Sequence, residues 1–136
     1  MKRVYTEKEV LYGERNTSYY INGDEYPYLR IYIHGYICWL KDNNLHRTDG
    51  PASYRPGSKF WNINGKYYRT DGPCSLFSDG SKLWKVNDKY HRTDGPAYVN
   101  GFGEHIWYID GVETTQENVE KLKEKYFYKW KRKMNF

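Results

Sequence analysis

Three copies of one hexapeptide place ionisable side chains at regular intervals along the chain. His-Arg-Thr-Asp-Gly-Pro stands at 46–51 and again at 91–96, and Tyr-Arg-Thr-Asp-Gly-Pro stands at 68–73. The repeated carboxylates are those of Asp49, Asp71 and Asp94. Such a row offers oxygen ligands to a metal ion, or groups for acid–base catalysis. The hexapeptides therefore raise the question of a catalytic or metal-binding row.

A structural role accounts for the same residues. In Thr-Asp-Gly-Pro the Asp side chain can cap its own turn, Gly permits an unusual φ, and Pro fixes the exit of the chain. An Arg stands two residues before each Asp and would neutralise its carboxylate. A catalytic motif is normally needed once, whereas a turn is needed once per repeat. We therefore predict that the hexapeptides, called hinges below, are turns, and the carboxylate row is the alternative.

The remaining reactive side chains do not form a recognisable site. His46 and His91 are equivalent, but Tyr68 takes their place in the middle hinge and cannot replace an imidazole ligand. Cys38 and Cys74 occupy positions that are apolar or small in the other repeats, so we predict buried free thiols. The charged start of the chain does not resemble a secretory leader, which favours a reducing, cytoplasmic location. The sequence predicts no catalytic residue, no metal site and no cofactor.

A longer repeat surrounds the hinges. A Gly precedes a Trp by four residues at four places, and the hinge Arg follows the Trp by eight residues at three of them. The four Trp residues are Trp39, Trp61, Trp84 and Trp107. The period is 22 to 23 residues. A weaker copy lies at 19–26, where Tyr19 takes the place of Trp. Self-similarity at such a period is the signature of a repeat architecture.

Each repeat is predicted to contribute β-hairpins. Residues 59–63 alternate as a half-buried strand does, and Asn64-Gly65 is the strongest short hairpin signal. The hinge then interrupts the ladder, because Pro has no N–H to donate. The sequence therefore predicts a mainly β fold, an elongated antiparallel β-meander in one domain over 1–136. Its repeats span 13–113, and a C-terminal amphipathic helix spans 114–134.

The C-terminal segment carries the net charge of the protein. Residues 119–136 hold seven basic and two acidic side chains, which account for the whole net charge of +5. Thr114 or Thr115 is a suitable helix N-cap, and an apolar stripe that includes Val119 follows. We predict a helix that caps the open end of the array. The alternative is a basic helix that binds a partner through side chains near its C-terminus: Lys129, Lys131, Arg132 and Lys133.

The repeat resembles a known type of module. Residues 79–97, DGSKLWKVNDKYHRTDGPA, are similar to the short repeats of many small bacterial, phage and giant-virus proteins, which resemble degenerate MORN-type β-hairpin units. The resemblance covers roughly 31–111, and 13–30 more weakly. It implies a scaffold or binding surface. It also implies an accessory protein of a phage, which would bind and inhibit a host defence protein in the host cytoplasm.

Two function hypotheses follow from the residues. The first is a non-catalytic protein-binding module, because rows of Tyr and Trp supply the residues that dominate binding hot spots. Its contacts would lie at hairpin tips and beside them, on Tyr36, Tyr54, Arg55, Tyr67, Tyr68, Tyr90 and Phe102. The second is a nucleic-acid binder that stacks bases on aromatic rows and holds phosphates with the basic tail. The neutral charge of residues 1–118 favours the first. No apolar run is long enough for membrane insertion.

Overall fold

Sixteen short strands and one helix make up the described part of the chain. A computed structural model describes the backbone of residues 4–5, 17–21, 28–31 and 35–133 and the side chains of residues 35–125. The first eight strands are β1 (Val4–Tyr5), β2 (Thr17–Ile21), β3 (Tyr28–Ile31), β4 (Ile37–Lys41), β5 (Asn44–Leu45), β6 (Ser53–Arg55), β7 (Ser58–Phe60) and β8 (Asn62–Ile63). The others are β9 (Lys66–Tyr67), β10 (Ser75–Leu76), β11 (Lys82–Leu83), β12 (Lys85–Val86), β13 (Lys89–Tyr90), β14 (Tyr98–Val99), β15 (His105–Ile109) and β16 (Val112–Thr114). The helix is α1 (Gln116–Lys133).

The predicted meander is confirmed. Within the described residues one sheet has 12 strands, in the order β1-β2-β3-β4-β6-β7-β10-β11-β14-β15-β16, with β5 paired to β4. The strands of this sheet are arranged in the order in which they occur along the chain, so each connection between paired strands is local. Its pairs are antiparallel except at one edge, where β1 lies parallel to β2. The weak early repeat contributes β2 and β3, whereas its Asn22-Gly23 lies outside the described residues.

Four short hairpins branch from the main sheet, one per repeat. These side hairpins are the pairs β4/β5, β8/β9, β12/β13 and the outer part of β15/β16. Their turns are Asp42-Asn43, Asn64-Gly65, Asn87-Asp88 and Asp110-Gly111. Both turn residues have a positive φ in every case, between 49° and 81°. The Asn-Gly prediction is therefore confirmed, and Asp and Asn fill the same left-handed positions in the other repeats.

The predicted strand over 59–63 does not run through, because it changes partners at Trp61. The Trp61 N–H donates to the Cys74 carbonyl of the main sheet, and the Trp61 carbonyl accepts from the Tyr68 N–H of the side hairpin. Trp39 and Trp84 make the same pair of hydrogen bonds. At each of these Trp residues, one continuous stretch of chain therefore changes from pairing with the main sheet to pairing within a side hairpin.

The core lies where the main sheet meets the hinges. Ala52, Cys74 and Ala97 each follow a hinge Pro and are 0–1% exposed. Cys38 and Leu83, directly before a Trp, are also buried. Trp39 is buried, whereas Trp61 and Trp84 are half-buried. Both faces around the Trp row are therefore packed, and the predicted burial of the two cysteines as free thiols is confirmed.

Helix α1 begins where a fourth hinge would begin. Thr115 stands eight residues after Trp107, the position of the hinge Arg in the other repeats. The Asn118 N–H donates to Thr115 Oγ1 at 3.2 Å, so Thr115 is the N-cap. Val119 is fully buried. The array therefore ends by exchanging a hinge for a helix, which covers the last repeat as the apolar stripe predicted.

Candidate binding surfaces

Each hinge is built around an Arg that is fixed on several sides. Arg69 Nε donates to Asp71 Oδ1 at 2.9 Å, and Arg69 Nη1 donates to the Pro73 carbonyl at 3.0 Å. The Arg69 guanidinium lies 3.7 Å from the centre of the Trp61 ring, close enough for a cation–π contact. The hinges of Arg47 and Arg92 repeat all three contacts, with Arg–ring distances of 4.0 and 3.9 Å. The hinge is thus a clamp that holds Arg on Trp.

The role predicted for the hinge Gly is wrong. Gly50, Gly72 and Gly95 do not have a positive φ. A Cβ on Gly72 would lie 2.8 Å from Arg69 Cζ, and one on Gly95 would lie 2.5 Å from Arg92 Cζ. Gly is therefore needed because the guanidinium packs directly against the backbone of the turn. Such a contact depends on the conformation of the Arg side chain. Turn propensities of single residues do not predict that conformation.

The row of hinge carboxylates has a partner at every position. Each Asp accepts from the Arg two residues before it, at 2.8 to 2.9 Å, while its own side chain is 61–82% exposed. Among residues whose side chains are described, no three His, Cys, Asp or Glu come together in a way that could hold a metal ion. The geometry therefore supports the structural role of the hinge over the carboxylate row.

These ion pairs predict a pH dependence of stability. Hydrogen bonding to Arg69 lowers the pKa of Asp71 below its ordinary value of 3.8, and Arg92 does the same for Asp94. The folded state thus favours the ionised carboxylates. Their contribution is complete above the ordinary pKa and is lost as pH falls through the lower folded pKa. We expect the thermal midpoint, measured by circular dichroism, to fall between about pH 4.5 and pH 2.5.

The double variant Asp71→Asn, Asp94→Asn tests whether these two carboxylates cause the pH dependence. It should have a lower midpoint at pH 7 and a flatter decline in acid. Asp42→Asn provides the control, because its carboxylate is exposed on the turn of the first side hairpin and lies outside the hinges. An unchanged decline in the double variant would assign the pH dependence to other groups. Asp79, whose pKa is lowered by hydrogen bonds from Ser81, would then be the next candidate.

The hinge His residues join neighbouring side hairpins, and Tyr68 does not. His46 Nδ1 accepts from the Asn64 N–H at 3.0 Å, and His91 Nδ1 accepts from the Asp110 N–H at 3.1 Å. Tyr68 has no ring nitrogen to offer to the next hairpin. That junction is bridged instead by the Tyr67 N–H, which donates to Asp88 Oδ1 at 3.1 Å. Tyr68 is 55% exposed, so the middle junction differs from its neighbours in surface as well as in bonding.

The hinges and side hairpins lie at one end of the main-sheet strands, and the turns at the other end form a second surface. These tips are Pro56-Gly57, Asp79-Gly80 and residues 101–103. Each tip touches the next: a Cβ on Gly57 would lie 2.6 Å from Ser78 Cβ, and one on Gly101 would collide with the Asp79 carbonyl. We call this row of touching turns the tip edge. It brings side chains from successive repeats close to one another.

Phe102 is the most prominent side chain on the tip edge. It is 97% exposed, yet the turn that carries it is fixed by hydrogen bonds. Asn100 Oδ1 accepts from the N–H groups of Phe102 and Glu104, at 2.9 and 3.0 Å, and the Gly103 N–H donates to the Asn100 carbonyl. The turn therefore holds a large aromatic ring in water on an ordered backbone. Burial of the Phe102 ring in a partner would remove this apolar surface from water, which is favourable.

The predicted contact residues do not lie along one edge. Tyr36, Arg55 and Phe102 are at or beside the tips, and the Arg55 guanidinium lies 5.0 Å from the Tyr36 ring centre. Tyr67 and Tyr90 lie at the side hairpins, where Lys85 Nζ is within 4.6 and 4.9 Å of their ring centres. The tips and the side hairpins are at opposite ends of the strands, so the set divides in two.

Several of these side chains are already engaged within the protein. The Tyr54 ring packs on Trp39 with centres 5.6 Å apart, and the Tyr90 ring stacks on Tyr108 at 5.0 Å. Burial among these rings raises the pKa of Tyr90. Arg55, Tyr68 and Phe102 remain exposed. The side chains of Lys129, Lys131, Arg132 and Lys133 lie outside the described part of the chain, although α1 includes their positions.

Sequence reasoning missed Phe77 and Val86 as exposed apolar residues. Phe77 is 36% exposed beside the tip edge and meets the Phe60 ring edge-on at 5.5 Å. Val86 is 50% exposed in the third side hairpin. Val86 follows its Trp by two residues, as Ile63 and Ile109 do. That aligned aliphatic position was a signal that could have found it.

No family model, curated protein or solved structure matches the chain. The helix of the described region is not one that could cross a membrane, because it lacks a sufficiently long apolar stretch.

Proposed function

We propose that the protein is a non-catalytic module that binds another protein through the tip edge. The observation that carries the proposal is Phe102, an aromatic side chain almost wholly in water on a turn fixed by Asn100. An anchor that is ordered before binding loses little conformational entropy when it enters a partner's pocket. Large exposed aromatics of this kind are typical hot-spot residues.

Other side chains along the tip edge also support a protein partner. Phe77 adds a second exposed ring near the tips, and Arg55 adds a cation that already lies over Tyr36. Aromatic and Arg side chains are enriched at the centres of protein interfaces. The resemblance of the repeats to those of small phage proteins supports a narrower proposal: a phage accessory protein that binds and inhibits a host defence enzyme in the host cytoplasm.

The contacts favour a protein over a nucleic acid. Arg47, Arg69 and Arg92 form the regular row of cations in the repeats, and each is bound to the Asp of its own hinge. Phosphate binding releases counterions from nucleic acid only when free positive charge is supplied. A nucleic-acid interface would therefore rest on the exposed lysines or on the basic end of α1 rather than on the row of hinge arginines.

Phe102→Ala should weaken partner binding without destabilising the protein. The ring makes little contact with its own fold, so the thermal midpoint should match wild type. Loss of a central aromatic anchor should cost about 2 kcal/mol of binding free energy. The measurement is capture from a bacterial lysate by immobilised wild type and variant, followed by titration of the protein that wild type alone retains.

Val112→Ala is the matched control, because Val112 is also exposed, at 68%, but lies on β16 away from the tips. It should capture as wild type does. Equal capture by Phe102→Ala and wild type would contradict binding through the tip edge. A gel shift with random DNA and RNA at low salt tests the other hypothesis. Tight, salt-sensitive binding there would favour a nucleic-acid function.

A further inference from the structure

One face of the main sheet carries a row of residues that pair directly across every strand from β4 to β15. Directly paired residues of antiparallel strands point to the same face of a sheet. The register joins these residues in one continuous series: Ile37, Tyr54, Lys59, Leu76, Lys82, Val99 and His105. We call this series the lysine row.

The lysine row alternates between ionisable and apolar side chains. The strand that leads into each of the last three repeat Trp residues supplies an exposed Lys or His two positions before the Trp. The strands that follow a hinge supply half-buried apolar members: Tyr54, Leu76 and Val99. Neighbouring strands are about 4.8 Å apart, so the backbones of Lys59 and Lys82, with Leu76 between them, are about 10 Å apart.

Lys59 and Lys82 present charge that no described carboxylate neutralises. Among the side chains that the structure describes, neither lysine forms an ion pair with an Asp or Glu. Lys59 Nζ lies 5.9 Å from the centre of the ring of Tyr54, its cross-strand neighbour on the row. The hinge arginines, in contrast, are each bound to the Asp of their own hinge. The lysine row is therefore a positively charged and partly apolar surface.

The lysine row adjoins the tip edge. Each of its three ionisable residues follows the last Gly of a tip by two positions. Gly103 and His105 have this relation in the turn that carries Phe102. A partner that receives Phe102 at the tips would therefore also meet the side chains of the lysine row.

The spacing and the side chains of the row favour an acidic protein over a nucleic acid. Duplex DNA carries one phosphate per about 3.4 Å along each strand, so a cation about every 10 Å would meet one phosphate in three. Bases stack on aromatic rings, whereas the residues next to Lys82 in the row are the aliphatic Leu76 and Val99. Carboxylates separated by apolar side chains match both the charge and the spacing.

We propose that the lysine row binds an acidic surface of the partner protein, in which carboxylates face Lys59 and Lys82 and an apolar side chain packs on Leu76. The inference rests on the proposed protein-binding function, and it states the chemistry of the partner that the tip edge holds. Complementary charge of this kind selects against basic partners, which the two lysines repel.

The probe is a fluorescent peptide of four Glu-Pro-Leu units, titrated into the full chain at low salt. The polyproline II conformation that Pro favours repeats every three residues, about 9 Å, so successive Glu side chains match the spacing of the lysines. We expect a saturable rise in anisotropy that weakens as salt is added. A peptide of Gln-Pro-Leu units, which keeps the shape without the charge, should bind at least about tenfold more weakly.

Paired charge reversals in the protein locate the contact. Lys59→Glu with Lys82→Glu, the row variant, should weaken binding of the Glu peptide at least about tenfold, because two attractions become repulsions. Lys66→Glu with Lys89→Glu is the matched control, since both lysines are exposed on side hairpins and the net charge changes equally. The control should bind as wild type does. Circular dichroism checks that both variants keep the fold.

Three results would overturn the proposal directly. They are no saturable binding to wild type, equal binding of the Gln and Glu peptides, and equal binding by the row variant and its control. The last result would assign the peptide to other basic residues, such as the basic end of α1.

Two other occupants of the row have their own signatures. A single-stranded oligonucleotide of random sequence that binds more tightly than the Glu peptide, and that the row variant fails to bind, would overturn the proposal in favour of a nucleic acid. Self-association of wild type in sedimentation velocity that the row variant abolishes would overturn it in favour of a second copy of the chain.

Phe102→Ala separates this inference from the proposed function. The short peptide offers no pocket for the Phe102 ring, so this variant should bind the Glu peptide as wild type does. A failed peptide titration would remove the acidic partner and leave the capture experiment to decide on the tip edge. Equal capture by Phe102→Ala and wild type would remove the tip edge, and the peptide would still decide what the lysine row binds.

Discussion

Val119→Asp is expected to destabilise the protein by about 3 to 5 kcal/mol, because it puts an unpaired carboxylate into a fully buried site. The change detaches α1 from the last repeat and uncovers Ile109, which lines a cavity together with Val119 and Leu122 of the helix. Exposed ends of repeat arrays associate with one another, so aggregation should accompany the loss of stability. The free energy of unfolding is measured by urea titration at low protein concentration, and aggregation by light scattering at high concentration.

Val112→Asp is the matched control for that variant. It makes the same chemical change at a Val that is 68% exposed, seven residues before Val119. Its free energy of unfolding should lie within about 0.5 kcal/mol of wild type, as is usual for surface changes. Similar losses in the two variants would mean that α1 does not cap the array.

Arg69→Ala is expected to destabilise the protein by about 2 to 3 kcal/mol, the second largest effect. The change removes a cation–π contact with Trp61 and hydrogen bonds to Asp71 and the Pro73 carbonyl. It leaves the Trp61 ring open to water on the side that Arg69 covers. Urea unfolding followed by Trp fluorescence reports both effects, since the emission of Trp61 should shift to the red.

Arg69→Lys and Lys66→Ala distinguish the clamp from charge alone. Lys keeps the positive charge but cannot hold Asp71 and Pro73 at once with a planar fork, so it should recover less than half of the loss. Lys66→Ala removes an exposed charge from the side hairpin that precedes this hinge and should be nearly neutral. Full recovery by Lys would show that the clamp is a simple ion pair.

The parts of the fold that depend on neighbours in sequence were predictable. Asn64 and Gly65 determine their own turn, because few residues accept a positive φ at both positions. Thr115 caps α1 through an atom three residues away. The equal spacing of Gly, Trp and Arg revealed the meander because each repeat must bury the same surface on the next. These signals are local or periodic, so the chain itself carries them.

The parts that depend on side chains folding across the turn were not predictable. Gly72 matters because Arg69 lies against it, and a sequence does not say where a long side chain will lie. Trp61 interrupts a strand whose alternation looks continuous, because its N–H and carbonyl bond to different sheets. The exposed apolar site at Val86 arises from two repeats together. The sequence aligns Val86 with Ile63 and Ile109 and puts Tyr68 at a His position, but it does not show that Val86 and Tyr68 are exposed together.

Because α1 replaces the last hinge, the number of repeats in the array can change without a change at its ends. The hydrogen bonds and side-chain contacts between repeats join each unit to the one after it, as those of His46 with Asn64 and of His91 with Asp110 do. A whole unit could be gained or lost between one hinge Pro and the next while β1 to β3 and α1 stayed the same. The number of tips, and with it the length of the tip edge, would then change in steps of one repeat. Every hinge ends in a Pro that is followed by Ala or Cys, and this pair marks the boundary between one unit and the next.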